Sequence, residues 1–112
     1  MKKDNSVYLH HILDAILRIE TYIQGVTKET FLETGLIQDA VVRQLEIIGE
    51  ASRNISDDFR EMHAEVPWGL IIGLRNRIVH AYFNINFEIA WTIAQNDLPS
   101  LKRHIEKVLD ET

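Results

Sequence analysis

Apolar residues spaced three and four apart run along almost the whole of this chain. Leu9, Ile12, Leu13, Ile16, Ile19 and Ile23 keep that spacing near the start. Ile37, Val41, Leu45, Ile48 and Ser52 repeat it, with Ala40, Val42, Ile47 and Ala51 alongside. A period of about 3.6 residues places such side chains on one face of a helix. Only 5 Gly and 2 Pro interrupt the 112 residues, and a chain of this length builds one core. The expectation is therefore a single all-α domain over residues 1–112, an antiparallel helical bundle with short connections.

Punctuation residues divide the bundle. Residues 7–24 read as the first helix, with Ser6 as N-cap and Gly25 just past the end. Residues 27–34 add a short helical turn that Gly35 ends. The second long helix closes at Asn54 in the left-handed conformation, and Ser56 caps a short helix reaching about Met62. Pro67 suits a first helical turn, where its missing N–H costs nothing. The helix it opens is expected to run over residues 68–83. Asn86 caps a final helix from Phe87, and Asp97-Leu98-Pro99 should break or kink it, with Asp97 as a new cap.

The absence of cysteine removes disulfides, thiolate metal sites and a thiol nucleophile. No apolar run approaches the roughly 18 residues of a membrane span. The basic start at Lys2-Lys3 leads into a stretch broken by His10, His11, Asp14 and Arg18, so a signal peptide is not expected and the cytoplasm is. A formal net charge of −5 argues against a broad nucleic-acid platform, which needs a basic surplus. Any RNA contact has to come from a local basic cluster.

Residues 68–83 carry more apolar surface than one bundle helix needs. On a helical wheel Leu70, Ile71, Leu74, Ile78 and Ala81 form the core stripe. Trp68, Ile72, Val79 and Phe83 form a second, with Arg75 in its middle and Tyr82 at its edge. Two stripes imply burial on two sides, which the same helix of a second copy would satisfy. A homodimer through a 67–83 helix is the expectation, with Arg75, Asn76 and His80 at the contact. Arg75 and His80, five apart, diverge by about 140° on a straight helix, so two protomers would pool them.

These side chains suit phosphate chemistry. Arg75 offers a permanent charge and a planar fork of donors, while His80 can exchange a proton near neutral pH. Asn76 can bind substrate or steady the imidazole, and Tyr82 adds a hydroxyl. With no metal ligands in view and no cofactor expected, the set fits attack of a ribose 2′-OH on the adjacent phosphate. Elsewhere the bland readings prevail. His10, His11, His63 and His104 lack ligand spacing. Glu46 and Glu50 read as a solvated or salt-bridged pair, Arg77 as a solvated charge, and Trp68 and Trp91 as core or interface aromatics.

The segment Leu74-Arg75-Asn76-Arg77-Ile78-Val79-His80-Ala81-Tyr82-Phe83 resembles the signature of the HEPN toxin family: Arg, four residues, His, one residue, Tyr. The run Gln44-Leu45-Glu46-Ile47-Ile48-Gly49-Glu50-Ala51, the Val66-Pro67-Trp68 step and the stretch from Trp91 to Leu101 resemble the same family. The resemblance implies a dimeric helical bundle acting as a metal-independent ribonuclease on RNA such as tRNA or mRNA. It implies Arg75 and His80 as the catalytic pair, with Asn76 supporting. It also implies Tyr82 as the tyrosine that a minimal nucleotidyltransferase antitoxin silences with AMP. Two other readings stand beside it. One is a non-catalytic nucleotide-binding or regulatory partner of a nucleotidyltransferase, mildly favoured by the acidity; the other is a plain dimeric scaffold.

Overall fold

The computed structural model describes the backbone of residues 4–81 and 84–111, and the side chains of residues 4–79 and 84–111. The fold is an all-α bundle. In chain order it holds α1 (Asn5–Ile23), α2 (Lys28–Glu33), α3 (Gly35–Arg53), α4 (Asp57–Met62), α5 (Trp68–Ile72) and α6 (Leu74–Ile78). Two very short strands follow, β1 (Val79–Ala81) and β2 (Asn84–Ile85), then α7 (Phe87–Thr92), a π-helical turn (Ile93–Asp97) and α8 (Leu98–Glu111). Among the described residues no helix is long and apolar enough to cross a membrane.

The predicted stripes are the core. Leu9, Ile12, Ile16 and Ile19 of α1 are fully buried, as are Val41, Leu45 and Ile48 of α3. The two long helices pack along each other, α8 lies on α1, and α5 and α6 lie on α3. Phe31 of the short α2 is fully buried, its ring 5.2 Å from that of Trp91 on α7. At the surface Lys102 Nζ of α8 lies 3.1 Å from Glu20 Oε1 of α1.

Several boundaries differ from expectation for identifiable reasons. The first cap is Asp4, not Ser6: Asp4 Oδ1 accepts from both the amide and the hydroxyl of Ser6. Those bonds hold the Asp4 carboxyl below the usual carboxylate range, so the cap's contribution is complete above that range and is lost as pH falls further, through the lowered value. Gly25 does adopt positive φ, at 73°. Gly35 opens α3 instead of closing α2. Asn54 stays right-handed because it ends α3 differently: its Nδ2 donates to the Glu50 carbonyl at 2.9 Å and its amide to that of Ala51. Pro67 stands one residue before α5, its carbonyl accepting from the Ile71 amide. Ser56 and Asn86 cap as expected, onto the Phe59 and Ile89 amides. Asp97 caps nothing. The Leu98 amide reaches back five residues to the Ile93 carbonyl, and this widened turn carries the helix through to Pro99 without a break.

The expected helix over residues 67–83 is the main correction. It is divided at Gly73 and stops at Ile78. In a continuing helix the Ile78 carbonyl would accept from residue 82; here it accepts from the Asn86 amide at 2.6 Å. Val79 is already extended, at φ −103 and ψ 106, as its branched side chain favours. Val79 then pairs with Ile85 and Ala81 with Asn84, antiparallel, with an irregular register between them.

Gly49 sets how closely α5 approaches α3. A Cβ at this position would lie 3.2 Å from the Ile71 carbonyl oxygen and 3.7 Å from that of Ile72. Both are backbone atoms that cannot swing aside. Gly49→Leu is therefore expected to destabilise the chain by about 1–3 kcal/mol through overpacking, read as a lower urea midpoint at unchanged slope. A variant as stable as the parent would show that the α3–α5 spacing is not fixed here.

Candidate active site

Of the four residues marked out by the sequence, three fall on two described elements. Arg75 and Asn76 belong to α6, and both are exposed. His80 belongs to β1, between its two paired positions; its side chain lies outside the described residues, as does Tyr82 entirely. The wheel that put Arg75 and His80 about 140° apart does not extend past Ile78, because the backbone leaves the helix there.

The inner face of α5 and α6 is made by Ile71, Leu74 and Ile78, all buried. Leu70, expected beside them, is 61% exposed. Trp68, expected on the second stripe, is instead buried in its own core, with its indole N–H donating to the His63 carbonyl at 3.0 Å. Ile72 and Val79 are half-buried, and Phe83 is outside the described residues. The second stripe is thus partly spent within the chain. Among the described residues of this segment, Leu70 and part of Ile72 and Val79 stay at the surface.

Because Ile71, Leu74 and Ile78 face inward, Arg75 and Asn76 face outward along α3. They border a recess of about 150 Å³ together with Ile72 and, from α3, Leu45, Glu46, Glu50 and Arg53. Glu46 and Glu50 are one turn apart, and Gly49 is also in the lining. Among the described residues neither Arg75 nor Arg53 forms an ion pair, whereas Arg77 Nη1 lies 3.7 Å from Asp97 Oδ2. Arg77 thus pairs α6 with the π-helical turn, while Arg75 and Arg53 border the recess without an ion pair among the described residues. A separate apolar groove of about 470 Å³, lined by Leu70, Leu74, Leu98 and Leu101, carries Arg77 and Asp97 on its wall but neither Arg75 nor Asn76.

Two carboxylates and a second arginine thus stand beside Arg75 and Asn76. The Glu46–Glu50 spacing was visible in the sequence, but a solvated or salt-bridged pair was the simpler reading. Arg53 carried no sequence signal, since a lone basic residue in the last turn of a helix is common. Among the described residues no group of three or more His, Asp or Glu is placed to hold a metal ion.

A family model described as "Ribonuclease HepT-like" matches residues 12–108. A Thermococcus cleftensis protein named "Probable ribonuclease HepT" is 42% identical over 108 residues, covering 96% of this chain and 98% of its own. A Caldanaerobacter subterraneus protein named "Putative RNase" is 36% identical over 104 residues, 93% of each chain. A Methanocaldococcus jannaschii protein named as a gamma-glutamylcyclotransferase and putative RNase is 38% identical over 111 residues; the chain spans half the length of that relative. No solved structure matches the chain.

Since Arg75 is exposed and bears no load inside the bundle, Arg75→Ala is expected to change the unfolding free energy by less than about 0.5 kcal/mol. Ile78→Ala, which empties a fully buried site on the same helix, should cost about 2–5 kcal/mol. Denaturant titration of the two variants checks this contrast, and equal losses would mean that Arg75 is structural.

Proposed function

The chain belongs to the ribonuclease HepT-like family, and on that premise we propose that it is a metal-independent endoribonuclease, the toxin of a toxin–antitoxin pair, working in the cytoplasm as a homodimer. The observation that carries the reading is Arg75: an exposed guanidinium without an ion pair among the described residues, beside a polar recess and five residues before His80. The substrate is RNA, either tRNA or mRNA.

In the proposed reaction a neutral His80 takes the proton of a ribose 2′-OH. The 2′-oxygen attacks the adjacent phosphorus, and the bond from phosphorus to the 5′-oxygen breaks. That oxygen leaves with the same proton, handed on by the imidazole that took it up. The products are a 2′,3′-cyclic phosphate and a 5′-hydroxyl. Arg75 neutralises the charge that builds on the non-bridging oxygens, and Asn76 holds the substrate or the imidazole. Leu70, exposed on α5, and the half-buried Ile72 and Val79 provide apolar surface for the second copy. Silencing is by a nucleotidyltransferase antitoxin: the Tyr82 phenolic oxygen attacks the α-phosphorus of ATP, and pyrophosphate departs. An AMP group there would place an anion in the site meant for the RNA phosphate.

Purified protein should cut RNA in EDTA and leave cyclic phosphate ends. Arg75→Ala and His80→Ala should each lower the rate by about 100-fold or more without unfolding the chain. If both variants cut as fast as the parent, the ribonuclease assignment is wrong. If Arg75 of one subunit works with His80 of the other, mixing the two inactive variants should restore about a quarter of parental activity, since half the dimers are mixed and each regains one of two sites. No recovery after verified subunit exchange overturns that pairing.

A further inference from the structure

The recess beside Arg75 contains a guanidinium from outside the signature segment. Arg53 ends α3 and is exposed. It lines the same recess of about 150 Å³ as Arg75 and Asn76. Among the described residues it forms no ion pair, although Glu50 lies three residues before it on the same helix. Three other basic side chains are engaged: Arg77 with Asp97, Lys102 with Glu20, and Arg60 with Asp57.

RNA brings a phosphate with every nucleotide, so a strand whose scissile phosphate sits on Arg75 must lay neighbouring phosphates close by. On this acidic chain, with a net charge of −5, long-range attraction does little to hold them. Glu46 and Glu50 repel them from part of the recess wall. Arg53 is the donor on that wall which can take one, bidentately and with a full charge.

We propose that Arg53 is a substrate-positioning residue that binds the phosphodiester next to the one held by Arg75. The proposal rests on the ribonuclease reading above. A residue that merely complements the α3 dipole would affect stability but not the ion release that accompanies RNA binding.

The test measures binding of a short single-stranded RNA of mixed sequence to full-length His80→Ala protein, with and without Arg53→Ala, across a salt series. Losing one phosphate contact should flatten the plot of log K against log salt by about 0.7. In the cleaving parent, Arg53→Ala should raise KM about tenfold, the loss of one charge-assisted contact, while kcat holds. Arg53→Lys should recover part of the loss. Arg103→Ala, which removes an equal charge from the exposed face of α8, should alter neither quantity. An unchanged salt slope and KM in Arg53→Ala overturns the proposal, and so does an equal effect from Arg103→Ala. Because binding is read on a chain that cannot cleave, a parent that binds RNA with the Arg53-dependent slope but never cuts it would sink the ribonuclease reading alone. A parent that cuts RNA with no Arg53 dependence would sink this inference alone.

Discussion

The close approach of two backbones at Gly49 governs the functional side of the molecule. Helices bearing ordinary side chains pack with axes about 8–10 Å apart. At position 49 a single hydrogen stands where a methyl group would press on the Ile71 carbonyl. α5 therefore seats deeply on α3, and Ile71, Leu74 and Ile78 are drawn into the core. Residues on the other side of α6 are turned outward by the same contact, which is how Arg75 and Asn76 come to border Glu46, Glu50 and Arg53. Sealing the core and forming the polar recess are one event.

The second constraint is the capture of the Ile78 carbonyl by Asn86. It ends α6 and commits the chain to an extended path. A strand advances about 3.3 Å per residue against 1.5 Å for a helix, so the backbone at His80 is carried further from Arg75 than helical continuation would allow. The fixed helical angle between the two residues disappears with the helix. The turn back through β2 then delivers Asn86 to cap α7, so the residue that stops one helix starts the next.

The bundle was legible in the sequence because burial is periodic: the stripes of α1 and α3 could be read directly, as could the caps at Ser56 and Asn86. The end of α6 was not, because Leu74, Ile78 and Ala81 keep a helical spacing that continues past the true boundary. What overrides that spacing is a hydrogen bond from a residue eight positions later, which no local pattern encodes. The π-helical turn before Pro99 escaped for a related reason: a proline signals a lost donor, but not whether the chain breaks or widens to absorb it. Within the candidate site, Arg75 and Asn76 were visible as part of a motif. Arg53 became visible only when α3 and α6 were placed side by side.

Acidity and action on a polyanion are reconciled by where the charges sit. A chain with a formal surplus of five negative charges gains little from long-range attraction, which salt screens within about 8–10 Å in any case. Affinity then has to come from short contacts to a few phosphates. In the recess the guanidiniums of Arg53 and Arg75 are balanced in number by the carboxylates of Glu46 and Glu50. On the proposed function, that balance penalises any strand that cannot place its phosphates on the arginines while clearing the glutamates. Generic RNA is then held poorly and a shape-matched RNA is held well. The same negative charge that weakens overall binding thereby becomes a source of discrimination.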